Sequence, residues 1–380
     1  MNRMFEFYLN TKIKFGCGVR KFIPEALSSE KWSRVGLVVD HSLVKLPIVN
    51  ELIDQLNESI ELLLVRNCSI SEPTYNALEE MRLEICDPSL QAVIGLGGGS
   101  AMDMAKAMAV LVHNEKPAIE YRGFDMMTKP VLPIIAIPTT AGTGSEVTPN
   151  ASFVDAKKKK KLGINGDAVR PRYAFLDPEL TLSCPKAPTI SAAVDSIVHA
   201  VEAYVAKKSN LLARFFAREG FQRVFRALPS LIDDLNNTNL RQEIMYGAFL
   251  SGVALMHSGT GPAAAMSYPL GVHYNVPHGI GGGIFLLHVI EYNIIHGCTD
   301  YVEFSDKTTG DTNSDANRFL EKLFEIWDHL EIPKNLSFYG FQKSDKEAFI
   351  KETLELKGAL DQNPVHFGAN EIKKIIEKLA

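Results

Sequence analysis

Short apolar runs alternate with amphipathic stretches through the first half of the chain, and the rhythm changes near Thr189. Apolar runs at 34–40, 61–66, 91–96, 131–137 and 174–176 read as strands. Between them, 47–58, 73–86 and 100–112 carry helical patterns. The stretch 152–164 predicts a β-hairpin with lysines at its tip. Apolar strands separated by helices predict a parallel, doubly wound sheet. Beyond Thr189 the pattern is helical almost to the end, over 190–207, 210–233, 239–257, 281–295, 315–330, 344–358 and 369–379. A turn-rich segment, Ser183-Cys184-Pro185-Lys186-Ala187-Pro188, divides the two regimes. The expected organisation is an α/β nucleotide domain over 1–187 and an all-helical domain over 188–380, with the site in a cleft between them.

Composition narrows the classes without choosing among enzymes. A chain of 380 residues with 46% hydrophobic and 22% charged residues fits an ordinary globular protein of two domains. A net charge of -5 offers no general attraction to nucleic acid. Cys17, Cys68, Cys86, Cys184 and Cys298 are dispersed with no CxxC pair, which implies reduced thiols and a cytoplasmic location. The first residues lack the apolar core of a signal peptide. The run nearest to a membrane span, 280–290, is broken by glycines and His288 and reads as a buried helix. The lysines at 157–161 read as a solvated hairpin tip.

Candidate chemistry appears in both halves. Asp195 and His199 stand four apart, so a helix carries both on one face. His278, in the turn Pro277-His278-Gly279, supplies a second imidazole for the same point. Two imidazoles and one carboxylate suit a divalent metal with open positions. In the first half, Gly97-Gly98-Gly99-Ser100 follows a strand and opens a helix whose first turns hold Asp103 and Lys106. Glycines there admit a pyrophosphate to the free N–H groups of the helix start. The segment from Pro138 through Thr139, Thr140, Thr143 and Ser145 to Thr148 adds hydroxyls and glycines at the end of another strand. Asp40 closes the first of the strands, where an acid accepts from a ribose 2′-hydroxyl and repels a 2′-phosphate. That favours NAD over NADP.

These residues resemble a known family. Gly97-Gly98-Gly99-Ser100-Ala101-Met102-Asp103-Met104-Ala105-Lys106 is similar to the GGGSxxDxAK element of the iron-containing, group III alcohol dehydrogenases. Pro138 to Thr148 resembles that family's PTTxGTGSE element, and Asp177-Pro178-Glu179-Leu180-Thr181 its DPxLT turn. Asp195 to Tyr204, Pro269-Leu270-Gly271 through Pro277-His278-Gly279, and Asn363-Pro364 extend the resemblance over nearly the whole chain. It implies a Rossmann-like N-terminal domain, a helical C-terminal domain holding Fe2+ or Zn2+, and NAD(P)-linked interconversion of an alcohol with an aldehyde or ketone. By position it implies that Asp40 selects the ribose. Gly98, Gly99, Ser100 and Asp103 would line the pyrophosphate. Thr139, Thr140, Thr143 and Ser145 would lie along the cofactor, with Lys161 and Leu180 as further contacts. Asp195, His199 and His278 would hold the metal. The family also implies a homodimer or larger homo-oligomer. Dehydroquinate-synthase-like lyases and glycerol-1-phosphate dehydrogenases share the architecture but fit the threonine-rich loop and the Asp195 helix less well.

Two positions depart from the family pattern. The family shows HxxxHPLG with histidines fourteen and ten residues before its last ligand; here those positions are Ala264 and Tyr268. Three readings follow: a metal held by three protein ligands, compensation by a displaced His273 or His257, or loss of the metal. Retention of Asp195 favours a metal, because a buried carboxylate without a cation is costly. An open metal has room for two substrate oxygens. The expected substrate is therefore polyhydroxylated or a hydroxy acid, a 3-deoxy-octulosonate-like sugar acid being one precedent. A simple short-chain alcohol and a non-catalytic NAD-binding scaffold are the alternatives. His273 and Tyr268 are the candidates for carrying the proton away.

Overall fold

The computed structural model describes residues 4–68, 72–305 and 311–380. The chain forms two compact units. One is Tyr8–Cys184; the other is Pro185–Ala380, joined by the described residues up to Phe7.

The first unit contains β1 (Lys12–Phe15), α1 (Ile23–Glu30), β2 (Arg34–Asp40), α2 (Pro47–Ser59), β3 (Leu62–Cys68), α3 (Tyr75–Ile85), β4 (Ala92–Gly97) and α4 (Gly99–Leu111). There follow β5 (Gly123–Phe124), β6 (Ile134–Pro138), β7 (Asn150–Asp155), β8 (Lys160–Asn165) and β9 (Tyr173–Leu176). The main sheet runs β1-β9-β6-β4-β2-β3, and every pairing in it is parallel. The expected parallel sheet is present. Its apolar runs are continuous because both faces are covered: Val35, Leu37 and Val39 pack with α1 and α2, while Val38 and Val93 pack with α3 and α4.

Parallel order brings Asp40, Gly97, Pro138 and Leu176 to one edge of the sheet, the edge where such folds bind ligands. The hairpin forms β7 and β8, which pair antiparallel from Asn150↔Asn165 to Asp155↔Lys160. Asp155 ties its tip by accepting from the amides of Lys157 and Lys158. Strand β1 is absent from the sequence reading. It is a four-residue edge strand with alternating lysines, and its place beside β9 is set by long-range pairing.

The second unit contains α5 (Lys186–Val205), α6 (Leu211–Asp233), α7 (Thr238–Ser258), α8 (Pro262–Tyr274), α9 (His278–Ile295), α10 (Thr312–His329), α11 (Lys346–Leu354), α12 (Lys357–Leu360) and α13 (Ala369–Leu379). Helix α5 packs against α6, α7 and α9, and every residue from Ala193 to Val205 is buried. It is the spine of the unit. The stretch 280–290 lies within α9, and no helix among the described residues is long and apolar enough to cross a membrane.

Two differences from the sequence reading stand out. The helix expected over 344–358 is divided between α11 and α12. Helix α8 went unread because Pro262 and Pro269 both lie in it, and its residues from Pro262 to Ser267 are buried without a polar face.

Candidate functional site

In the helical unit, the buried Asp195 and His199 lie one turn apart on α5, and His278 opens α9. One ligand atom from each lies within 4.8 Å of the other two. Asp195 Oδ1 is 3.5 Å from His199 Nε2 and 3.8 Å from His278 Nε2. These separations exceed a good hydrogen bond and leave room for a shared cation. His199 Nδ1 is buried with no hydrogen-bond partner among the described residues, while Nε2 of the same ring faces Asp195 Oδ1. The donor set and this orphaned nitrogen fit a divalent cation.

Gly279 makes the approach of α9 possible. A Cβ there would run into the Ser191 carbonyl oxygen and come within 2.9 Å of Asp195 Cβ. Helix α8 is placed by another device. Its N-terminal N–H groups have no cap from their own segment, and Glu202 of α5 reaches across to supply one. Glu202 accepts from Gly261 N at 2.7 Å, Ala263 N at 2.6 Å and Thr260 Oγ1 at 2.8 Å. Burial pushes the Glu202 carboxyl up, and these three bonds oppose it. Seven residues after Asp195 and three after His199, the same helix thus holds the segment carrying Ala264. Glu202 had no assigned role in the sequence reading. Its signals were an acid inside a largely apolar helical stretch and its place within the Asp195 to Tyr204 resemblance.

Ala264 is 2% exposed and supplies no side-chain ligand. Among the described residues no fourth His, Cys, Asp or Glu joins the cluster. His273 Nε2 is 2.8 Å from Glu352 Oε2, and His257 stacks on Phe7 at 4.0 Å. Neither takes the missing ligand's place. Tyr268 packs edge-on against His278, ring centres 4.9 Å apart. Ser267 Oγ lies 2.7 Å from His278 Nδ1 and donates to the Ala264 carbonyl at 2.6 Å.

The α/β unit carries the other group of candidates. Gly99 opens α4, and a Cβ on it would meet Thr143 Cγ2 at 2.9 Å, so the glycine turn and the threonine loop lie directly together. Thr139 N donates to Gly97 O at 2.9 Å, and a Cβ at Gly98 would touch Thr140 Oγ1. Gly98, the N-cap of α4, offers no side-chain cap bond, so the helix begins beside a glycine cradle. That arrangement fits a pyrophosphate. Asp40 ends β2 next to β4 and accepts from Ser42 N at 2.9 Å and Ser42 Oγ at 2.7 Å, both through Oδ1.

Other sequence candidates have internal partners. Asp103 accepts from Ser145 Oγ at 2.7 Å and Ser152 N at 2.8 Å. Burial raises its carboxyl, and the nearby Lys106 charge opposes that shift. Lys106 is fully buried and donates to Ser145 Oγ, Thr148 O and Asn150 O at 2.8, 3.0 and 2.7 Å. Burial lowers its ammonium to about 8. Asp103, Ser145 and Lys106 thus lock the end of the threonine loop to α4. Lys161 pairs with Glu72 at 2.9 Å, and Leu180 lies in the core beneath the sheet.

Comparison with known proteins agrees with these local features. The family described as "Iron-containing alcohol dehydrogenase" matches residues 10–178, and the C-terminal region of the Fe-containing alcohol dehydrogenase family matches residues 189–380. An NAD-dependent methanol dehydrogenase of Bacillus methanolicus is 29% identical, over 80% of each chain. A sulfoacetaldehyde reductase of Bilophila wadsworthia is 28% identical over 98% of each. The crystal structure of a 1,3-propanediol oxidoreductase superposes with a TM-score of 0.94 at 25% identity, covering all of both chains.

Proposed function

The chain belongs to the iron-containing alcohol dehydrogenase family, and from that premise we propose an NAD-dependent, metal-assisted oxidoreductase whose substrate presents two oxygen functions. The observation that carries this reading is the cluster of Asp195, His199 and His278 with no fourth side chain among the described residues. Bound NAD supplies the hydride acceptor, and a bound Fe2+ or Zn2+ supplies the Lewis acidity that lowers the pKa of a substrate hydroxyl.

The chain's own residues do the rest. Asp195, His199 and His278 hold the cation, and Ala264 leaves room beside it. Gly98, Gly99 and Ser100 receive the pyrophosphate at the start of α4. Thr139, Thr140 and Thr143 line the cofactor, while Asp103 and Ser145 hold that loop in shape. Both Ser42 bonds use Oδ1 of Asp40, so Oδ2 is the oxygen we assign to the ribose hydroxyl. Tyr268, against the His278 ring, and His273, paired with Glu352, are the two candidates we assign to moving the substrate proton. Lys161 and Leu180 have an ion-pair partner and a core environment, so we assign them supporting rather than direct contacts.

Relatives named for 1,3-propanediol and sulfoacetaldehyde support a substrate with a second oxygen-bearing group. The methanol dehydrogenase supports the second reading, a simple alcohol. The two are separated by NAD reduction across a panel of diols, hydroxy acids, sugar acids and simple alcohols. We expect kcat/KM at least ~10-fold higher for a two-oxygen substrate than for ethanol or butanol. Ala264→His, which adds back an imidazole, should narrow that gap. Ethanol or butanol turnover equal to that of every polyol and hydroxy acid would overturn the two-oxygen reading. A homo-oligomer in the cytoplasm completes the proposal, to be checked by light scattering and cell fractionation.

A further inference from the structure

Ser267 lies on α8 with 1% of its surface exposed, three residues after Ala264 and against the start of α9. Its hydroxyl has one proton and two close neighbours. The Ala264 carbonyl oxygen is 2.6 Å away, and His278 Nδ1 is 2.7 Å away. Two oxygens at 2.6 Å repel unless a proton lies between them, and a carbonyl has none to give. The serine proton therefore points at Ala264. Towards His278 the hydroxyl has only lone pairs left, so at 2.7 Å the imidazole must be the donor, through Nδ1–H.

A neutral imidazole protonated at Nδ1 presents a bare lone pair at Nε2. Nε2 is the atom that faces Asp195 Oδ1. We propose that Ser267 is a positioning residue that fixes the tautomer and orientation of His278, using the main-chain carbonyl of Ala264 as the acceptor that directs its proton. The position that lacks a ligand side chain thus still serves the site through its backbone. With three side chains instead of four, each remaining ligand has to be aimed well, and a locked ring loses less freedom when it binds a cation. This inference rests on the metal-assisted reading, and its experiment separates the two.

Full-length protein is stripped of metal, and Zn2+ affinity is measured by competition with a chromophoric chelator. Ser267→Ala should weaken Zn2+ binding by about 10- to 100-fold. Ser267→Thr, which keeps the hydroxyl, should recover most of that loss. A second readout needs only the metal-free wild type: the ring-nitrogen NMR signals of His278, identified by their loss in His278→Gln. They should show the Nδ1–H tautomer. An Nε2–H tautomer in the wild type overturns the proposal, as does a folded Ser267→Ala variant whose Zn2+ affinity stays within about twofold of wild type. Wild type that binds no Zn2+ would instead overturn the metal reading, while the His278 signals would still decide what Ser267 does. If Ser267→Ala does not fold, the tautomer measurement decides alone.

Discussion

At the scale of single residues, Lys106 shows how burial turns a charge into a measurable device. Its ammonium is fully buried with three oxygen partners, and desolvation brings it from an ordinary 10.5 to about 8. The folded protein therefore sheds this proton before the unfolded chain does. The contribution of Lys106 to stability is complete above about 10.5 and is lost as pH falls through about 8. Lys106→Met never carries the charge. In urea titrations from pH 7.5 upward, wild type should gain stability relative to that variant, on the order of 3 kcal/mol by the end of the window. Parallel profiles would show that the ammonium is solvated after all. Absolute stability should favour wild type, because methionine leaves the Thr148 and Asn150 carbonyls without their buried donor.

At the scale of elements, the candidate metal cluster depends on how closely α9 approaches α5. Gly279 is the contact point, since any side chain there meets the Ser191 carbonyl. Gly279→Ala should cost about 1–3 kcal/mol through overpacking. It should also weaken metal binding, because relief of the clash moves His278 away from Asp195. Zn2+ competition and thermal melts on the same preparation test both effects, and unchanged affinity would show that the helix ends can separate without disturbing the ligands. Helix α8 makes the complementary point. Its own sequence offers two prolines, no amphipathic period and no capping side chain. The cap comes from Glu202, sixty residues earlier in round terms and on another helix, which explains why local pattern did not reveal it.

At the scale of the whole molecule, the proposed site would link metal binding to folding of the helical unit, because its three candidate ligands come from two helices. A cation at a free concentration a hundredfold above its Kd stabilises the folded state by about 2.7 kcal/mol. Chelation should lower the melting temperature of wild type by several degrees, and Asp195→Ala should melt at one temperature with or without metal. An Asp195→Ala variant that still responds to added metal, or keeps full activity under strict chelation, would remove Asp195 from the ligand set.

The sequence by itself determined the architecture: strand and helix periods within each half depend on local burial, and they predicted the parallel sheet and most of the helices. It also identified the chemical candidates, since an i,i+4 Asp–His pair and a glycine turn after a strand are short-range patterns. Tertiary structure alone decided what each candidate touches. It brought His278 to Asp195 across Gly279 and gave Asp103 and Ser145 to each other. It engaged His273 with Glu352, seventy-nine positions on, and capped α8 from α5. Those outcomes depend on contacts between distant parts of the chain, where a hydrogen bond or a steric limit of a few ångströms has no trace in local spacing.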